Sequence, residues 1–388
     1  MPGVVNVAGP PNLPYAPDVP GPPHLPGFAD ITSPPRTSGR PDLSGAPDTA
    51  EASGLPETGS PDLPPVPDAG EAPHFPSADP PTTPGVGFVG DRPPTYEAEP
   101  TALPEADPAD LGGLVPDTVL EGARCGAATV RAVSLRGDSA RYRGEARRDA
   151  LLIARFGSGE DGLVLVAVAS GARAAPDAHR AARDACEWIG GAIGRSQERL
   201  VDDIRAGHRS ALESGLHRLT DRSYGRLRAR AHELGRPPAE YSAALRCLLL
   251  PADPKCGTRV FFGVGDGGLF QLRGGAWQDL EQADAGQGSG GDRITVDLGV
   301  VGAGPGPAEP FRFQLCSGLP GDALLLCTPG LADPLRGEPA FGERLAERWS
   351  TGDGPGARPP GLAAFLADAQ LRVKGYADDR TACVVWEA

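Results

Sequence analysis

The sequence has no run of 18 apolar residues, no Cys-x-x-Cys pair and only two lysines. A membrane-spanning helix needs about 20 consecutive apolar residues, so none is predicted. The first residues lack the charged and apolar regions of a secretory signal. The seven cysteines are an odd number, and several lie inside apolar runs, which favours reduced, buried thiols over disulfides or metal ligands. These absences favour a soluble cytoplasmic protein with no membrane partner.

The first part of the chain lacks lysine altogether and has few aromatic residues. Residues 1–110 hold 16 acidic residues against three arginines, a net charge of −13, and the whole chain carries −14. About two-thirds of the 44 prolines lie in the same stretch. Such a segment cannot bury enough apolar surface to offset the entropy of ordering it. Residues 1–115 are therefore predicted to be a disordered, acidic, proline-rich tail, and no nucleic-acid partner is expected.

The proline spacing in this tail allows two interpretations. Pro11 to Pro14 and Pro73 to Pro76 match the PxxP pattern of polyproline II segments. Such segments either dock on an aromatic-lined groove or act as a solvated spacer, and composition alone favours the spacer.

From residue 127 onward, short apolar runs bounded by glycine and proline are interspersed with stretches of helical periodicity. Helices are predicted over residues 177–193, 197–234, 338–349 and 360–373, the second of them interrupted near residues 214–215. Strands are predicted over residues 151–156, 163–169, 243–250, 260–264, 269–273, 294–298, 311–315, 323–327 and 381–386. Because the helices come in consecutive pairs, a doubly wound parallel sheet fits poorly. The prediction for residues 116–388 is an α+β fold, a four-layer αββα sandwich of two antiparallel sheets flanked by helix pairs.

A glycine pattern, GxGxxG, spans residues 263–268 after a predicted strand. Residues 269–277 alternate in polarity and then turn, which predicts a strand and a hairpin. A dinucleotide site would need a helix whose N-terminus faces the pyrophosphate, so no such site is expected here.

Acidic residues flank several of the predicted strands. Asp149 ends residues 144–149 before the first long strand, Asp266 follows another strand, and Asp378 and Asp379 precede the last one. With residues 166–173 and 321–333, these segments resemble in order and spacing those of the type 2C metal-dependent protein phosphatases. The resemblance covers nearly all of residues 127–388. It implies that Asp149, Asp378 and Asp379 are residual metal-binding positions.

Two of the five segments depart from the family pattern. Residues 170–172 read Ser-Gly-Ala where the family has Asp-Gly-His, and residues 328–330 read Thr-Pro-Gly where it has Ser-Asp-Gly. Ser170 and Pro329 thus replace metal-binding aspartates. The positions that define this degenerate pattern are Ser170, Gly171, Ala172, Pro329 and Gly330.

These losses bear directly on the mechanism that the resemblance implies. The family uses two Mg²⁺ or Mn²⁺ ions to activate the water that attacks a phosphate monoester. Two such cations repel each other unless carboxylates bridge and flank them, and a serine hydroxyl is neutral at pH 7. The favoured prediction is a catalytically impaired pseudophosphatase that acts as a phosphoprotein-binding or regulatory partner, with Mg²⁺ or Mn²⁺ as the cofactor if one is bound at all. The alternatives are an active Ser/Thr phosphatase with one ion held by Asp149, Asp378 and Asp379, or a binding module unrelated to phosphoester chemistry.

Three arginines lie in the segments that surround the metal site in relatives, namely Arg147, Arg148 and Arg173. Guanidinium groups pair with phosphate through two hydrogen bonds, so these residues form a candidate phosphate-binding set. The alternative is that all three point to solvent. The predicted partner is a phosphorylated protein or a Ser/Thr kinase, and the excess of arginine over lysine is typical of a bacterial protein from a high-GC genome.

Overall fold

The computed structural model describes residues 87–282, 310–351 and 358–388. The predicted strand over residues 294–298 and the first 86 residues of the predicted tail lie outside these ranges. The strands are β1 (Phe88–Val89), β2 (Thr118–Cys125), β3 (Ala128–Leu135), β4 (Asp149–Phe156), β5 (Leu163–Gly171), β6 (Ala243–Pro251), β7 (Thr258–Val264), β8 (Gly268–Arg273), β9 (Ala276–Asp279), β10 (Arg312–Ser317), β11 (Ala323–Cys327), β12 (Arg372–Val373) and β13 (Arg380–Trp386). The helices are α1 (Asp138–Arg143), α2 (Ala178–Arg195), α3 (Gln197–Arg205), α4 (Arg209–Glu233), α5 (Pro329–Gly337), α6 (Pro339–Trp349) and α7 (Leu362–Ala369).

Two antiparallel sheets form the centre of the fold. One has the strand order β10-β7-β6-β5-β4, and the other has the order β2-β3-β13-β11-β8-β9. Strand β5 is buried along almost its whole length, because both of its faces are covered. Strands buried on both faces are expected to read as continuous apolar runs instead of alternating, which is the pattern of residues 163–169.

Three apolar clusters are packed between the layers of the fold. One lies between the two sheets and includes Val166 of β5 and Leu326 of β11. A second joins the outer face of the five-stranded sheet to α2, α3 and α4, and a third joins the outer face of the six-stranded sheet to α5, α6 and α7. The order of layers is therefore helix, sheet, sheet, helix. This confirms the predicted αββα sandwich.

The helices differ from the predictions at four points. Helix α1 was not predicted, and the helix predicted over residues 360–373 ends at Ala369, before strand β12. The long predicted helix over residues 197–234 is interrupted at Gly207, which adopts a positive φ of 67°, and not near residues 214–215. Helix α5 was not predicted, because it begins with Pro329 and contains Pro334. Proline is compatible with the first turn of a helix but is uncommon inside it. In the described part of the chain, no helix combines the length and apolarity needed to cross a membrane.

Part of the predicted tail is attached to the domain. Residues 87–115 were expected to be disordered, but β1 pairs in parallel with β12. Tyr96 accepts a hydrogen bond from Arg372 through its carbonyl oxygen, and Asp110 is ion-paired with Arg180 on α2. Residues within 87–115 thus contact the domain at these points, and the predicted boundary near residue 115 stays a prediction. Composition could not predict this, since the attachment rests on a few hydrogen bonds and on the packing of Val89 against the apolar cluster beside α5, α6 and α7.

Candidate functional site

The segments with acidic residues meet at one end of the sandwich. Strand β4 begins at Asp149, which pairs in register with Ser170 near the end of β5. On the other sheet, the N–H of Thr328, just after β11, donates to the carbonyl of Thr381 in β13 at 2.9 Å. The pairing at both sheets brings residues that are far apart in sequence to one place.

Asp149 is a buried carboxylate with protein donors around it. The Thr328 hydroxyl donates to its Oδ2 at 2.6 Å. Burial and the nearby charge of Asp379 raise the pKa of Asp149 from 3.8 to about 7, and hydrogen bonds from Thr328, Ser170 and Thr381 oppose this rise. The side chain is thus held in a dry, polar environment where a negative charge is costly.

Asp379 is also buried, and both of its oxygens accept backbone hydrogen bonds. Gly137 N–H donates to Oδ1 at 2.7 Å, and Arg148 N–H donates to Oδ2 at 2.7 Å. Burial raises the pKa of Asp379, against the effect of these two donors. The carbonyl of the same residue lies against Gly330, where an added Cβ would come within 1.8 Å of the oxygen. Asp379 therefore ties three loops together at this end of the domain.

Asp378 lies at the surface of the site and is paired with two arginines. Arg148 Nη2 forms an ion pair with Asp378 Oδ1, and Arg173 Nη2 lies 3.0 Å from Oδ2. Arg148 Nε is 3.8 Å from Oδ2 of Asp379 and has no hydrogen-bond acceptor among the described residues. The Arg148 side chain is 20% exposed and that of Arg173 is 75% exposed. Both guanidiniums thus stand among the acidic residues at the site.

Arg147 does not belong to this group, which corrects its assignment to the candidate phosphate-binding set. Its side chain points into the interior, where Nε donates to the carbonyl of Asp149 at 3.1 Å and Nη1 donates to the carbonyl of Ser134 at 2.7 Å. Neighbouring residues in extended chain project to opposite sides, so Arg147 and Arg148 cannot both face the same pocket. Burial lowers the pKa of the Arg147 guanidinium.

The degenerate positions form the close-packed floor of the site. Gly171 lies against α2, where an added Cβ would come within 2.2 Å of the Ala178 carbonyl oxygen. Ala172 N–H donates to the carbonyl of Ser242 at 3.0 Å. Pro329 is the first residue of α5 and offers no side-chain oxygen. The floor accordingly presents a hydroxyl, a methyl group and a pyrrolidine ring.

An open groove of about 980 Å³ lies over this floor. The arginines that line it are Arg148, Arg173, Arg312 and Arg336. Arg312 lies 3.0 Å from Glu281, and Arg336 lies 2.7 Å from Asp279. The volume lies at the upper end of the range for ligand pockets, and four guanidiniums line the groove.

The acidic residues on the walls of the groove are Asp266, Glu281, Asp333 and Asp378. Asp266 was placed near the site by its position after a strand, whereas Asp333, Glu281, Arg312 and Arg336 were not identified as site residues. Asp333 could have been identified from the sequence, because it lies in residues 321–333, the family-like segment that also contains Pro329. The other three lie outside the five family-like segments, so no motif pointed to them.

The donor set does not fit a two-metal centre. Across residues 87–282, 310–351 and 358–388, no three His, Cys, Asp or Glu side chains are grouped so that they could hold a metal ion. Asp149 and Asp379 accept hydrogen bonds from protein donors, and Asp378 is paired with two guanidiniums. Mg²⁺ and Mn²⁺ require several free anionic or neutral oxygens in an octahedral arrangement.

A two-sheet sandwich with helices on both outer faces and acidic residues at the strand ends defines a phosphatase-like class of fold. A family model described as protein phosphatase 2C matches residues 136–367, which is more than half of the chain. The chain therefore belongs to the protein phosphatase 2C family. No curated protein matches its sequence.

Several solved structures share parts of this fold. PppA from Pseudomonas aeruginosa is 19% identical over 68% of this chain and 99% of its own, with a TM-score of 0.41. The Mycobacterium tuberculosis serine/threonine phosphatase PstP/Ppp is 18% identical over 67% of this chain and 99% of its own, with a TM-score of 0.39. RsbX in complex with magnesium is 9% identical over 70% of this chain and 100% of its own, with a TM-score of 0.38.

Proposed function

We propose that this chain is a pseudophosphatase that binds a phosphorylated protein in Ser/Thr phosphorylation signalling. The observation that carries the proposal is the Arg148 guanidinium, which is ion-paired with Asp378 and lies 3.8 Å from an oxygen of Asp379. In this position it supplies positive charge to the carboxylates that the family resemblance assigns to metal. Unlike a bound metal ion, a guanidinium cannot lower the pKa of a water molecule and turn it into a nucleophile.

The charges at the site support a metal-free state. Two divalent cations a few Å apart repel each other strongly unless carboxylates bridge them. Ser170 provides a neutral hydroxyl at the bridging position, and Pro329 provides no ligand. An incoming cation would also have to displace Arg148 from Asp378, and the displaced guanidinium would then lie beside a like charge. Each of these effects weakens metal binding independently of the others.

The groove has the chemistry to hold a phosphate monoester without cleaving it. Arg173 is 75% exposed and is fixed at one end by Asp378, so its remaining N–H groups can donate to a ligand. Hydrogen bonds between charged partners contribute about 1.5–3 kcal/mol each, which is sufficient for selective binding of a phosphorylated residue over the unmodified one.

A second candidate function is favoured by one observation. The charge of Asp379 acts on the buried Asp149 carboxyl, and Asp378 adjoins Asp379 in sequence. Among the described residues no three such side chains are grouped for metal binding, so a single Mg²⁺ or Mn²⁺ ion would require these carboxylates to leave their present partners and converge. In that case the chain would be an active metal-dependent Ser/Thr phosphatase with a rebuilt site. When bound, such an ion would polarise the phosphate and lower the pKa of a coordinated water.

Binding and turnover together distinguish the two candidates. Fluorescence anisotropy with a labelled phosphothreonine peptide in EDTA should give saturable binding that the unphosphorylated peptide lacks. Arg173→Glu should weaken that binding by at least about tenfold, because it replaces a donor to phosphate by a like charge. Arg344→Glu is the matched control, since this residue is an exposed arginine on α6, outside the groove. No binding in EDTA would refute the proposal.

Turnover is measured as hydrolysis of p-nitrophenyl phosphate with added Mn²⁺. The wild-type chain should show no turnover, and activity abolished by Asp149→Asn would establish the second candidate instead. In the double variant Ser170→Asp with Pro329→Asp, two of the missing carboxylates are restored. Mn²⁺-dependent turnover that appears only in this variant would attribute the loss of activity to those two positions.

A further inference from the structure

A second cavity lies behind the loop that carries Asp378 and Asp379, on the side away from the groove. Its walls carry the side chains of Arg136, Arg141, Arg372 and Arg380. The volume is about 20 Å³, which is enough for one occupant of about the size of a water molecule. Four guanidiniums around so small a space are an unusual concentration of positive charge.

Three of these arginines share two carboxylates. Asp117 lies 2.9 Å from Arg136 Nε and 2.6 Å from Arg141 Nη2. Asp138 lies 2.7 Å from Arg372 Nε and 4.0 Å from Arg141 Nη1. The side chain of Arg136 is only 3% exposed and that of Arg372 only 10%. Water therefore does little to screen the remaining positive charge.

The fourth arginine has no carboxylate within ion-pairing distance in the described ranges. Arg380 is 7% exposed, and its guanidinium donates to the carbonyls of Ala369, Leu371 and Tyr376. It thereby caps the C-terminal end of α7, whose partial negative charge offsets only a part of a full positive charge. A buried charge normally has a partner of opposite sign, and here that partner is incomplete.

The nearest remaining carboxylate is not available to balance this excess. Asp378 lines the cavity but is already paired with Arg148 and Arg173 on the groove side. Each guanidinium carries five N–H donors, and among the described residues no nitrogen of these four arginines is a fully buried atom without a partner, so any of them that lacks a protein acceptor is open to the cavity or to solvent. Arg136 Nη1, for example, has only a long contact of 3.5 Å to the carbonyl of Glu145.

We propose that this arginine cavity, formed by Arg136, Arg141, Arg372 and Arg380, binds a small inorganic anion of halide size, for which chloride is the probe. The excess of guanidiniums favours an anion, and the small volume favours a single small ion over a large organic anion such as gluconate. The bound anion joins α1, β12 and the first residue of β13, and it adds stability to the folded state without taking part in phosphate recognition. The inference does not rest on the proposed function.

Thermal unfolding of the full chain tests the stabilisation. Sodium chloride is exchanged for sodium gluconate at constant ionic strength, so that general screening of surface charge stays the same. Because the anion binds only the folded state, the melting temperature should rise by about 2 °C for each tenfold increase in chloride above its Kd. Equal melting temperatures in the two salts would overturn the proposal.

A pair of variants separates the cavity from the rest of the surface. Arg372→Met should abolish the difference between chloride and gluconate, because it removes one wall of the cavity. Arg344→Met removes one exposed positive charge from α6 and should retain the full difference. A difference that persists in Arg372→Met would contradict the proposal.

Bromide in crystals of the wild-type chain gives a test that does not depend on whether a variant folds. Anomalous density is expected between the guanidiniums of Arg372 and Arg380. Density beside Arg173 in the groove, with none in the cavity, would refute the proposal and would show that the groove binds the anion instead.

Discussion

Replacing the buried carboxyl of Asp149 by an amide should make the domain more stable above pH 7. The folded environment raises the pKa of Asp149 from 3.8 to about 7 through burial and the charge of Asp379. An unfolded chain releases this proton near pH 3.8, whereas the folded chain keeps it until about pH 7. Between these values the folded state binds more protons than the unfolded state. The contribution of Asp149 to the free energy of unfolding therefore falls as the pH rises from about 4 to about 7, and it is constant above that.

The magnitude of the change in the free energy of unfolding follows from the change in the pKa of Asp149. One pKa unit corresponds to about 1.36 kcal/mol, so ionisation of Asp149 lowers the free energy of unfolding by about 4 kcal/mol between pH 4 and pH 7. Asp149→Asn removes this cost but also replaces the charge-assisted hydrogen bond from Thr328 by a neutral one. The variant should therefore exceed the wild type by about 2–4 kcal/mol at pH 8 and should equal it within about 1 kcal/mol at pH 4.

Urea denaturation of both chains in EDTA, at pH values from 4 to 8, measures this difference directly. The matched control is Asp221→Asn, which removes an exposed carboxylate on α4 and should change stability by less than about 0.5 kcal/mol at every pH. A variant less stable than the wild type at pH 8 would refute the reasoning, since it would mean that the ionised carboxylate is favourable there.

Two further substitutions test the packing around the site and at the end of the chain. Gly330→Ala should lower the free energy of unfolding by more than about 3 kcal/mol, because its Cβ would lie 1.8 Å from the Asp379 carbonyl oxygen. The control is Gly361→Ala, whose Cβ meets nothing within 4 Å and which should leave stability nearly unchanged. Thermal melts compare the two variants. Glu387→Gln should cost about 3 kcal/mol in urea denaturation, because it breaks a buried ion pair with Arg259 at 2.7 Å, whereas Glu347→Gln at an exposed pair should cost less than about 1 kcal/mol. Equal losses of stability in Gly330→Ala and Gly361→Ala, or in Glu387→Gln and Glu347→Gln, would contradict the packing and burial described for these positions.

The fold was largely predictable because apolar residues are spaced differently along its strands and along its helices. Residues 163–169 form a continuous apolar run, and residues 177–193 repeat every three to four positions, so β5 and α2 were predicted close to their observed bounds. Helix α5 was missed because Pro329 and Pro334 suggest a break in sequence. In the structure Pro329 takes the first helical position, where the missing N–H has no intrahelical partner in any case.

The site was predictable only where a family motif marked it. Residues 144–150 and 377–385 indicated Asp149, Asp378 and Asp379, and the structure brings them together. The direction of a side chain was not predictable from its motif, as Arg147 and Arg148 show, because it depends on the local extended conformation. Arg336 and Arg312 reach the groove only through tertiary packing, and no local pattern distinguishes them from other exposed arginines.

Two of the remaining carboxylates have protein hydrogen-bond donors of their own. Asp379 accepts two backbone N–H groups, and Asp149 accepts the Thr328 hydroxyl, so each has donors of its own. Ser170 is different, because it pairs in register with Asp149 and has the Asp149 carboxylate as its neighbour. An aspartate at that half-buried position would add a third carboxylate beside Asp149 and Asp379, whereas the serine hydroxyl donates to Asp149. The loss of carboxylates at positions 170 and 329 and the presence of arginine at position 148 therefore act in the same direction: each lowers the negative charge that would otherwise require a divalent cation.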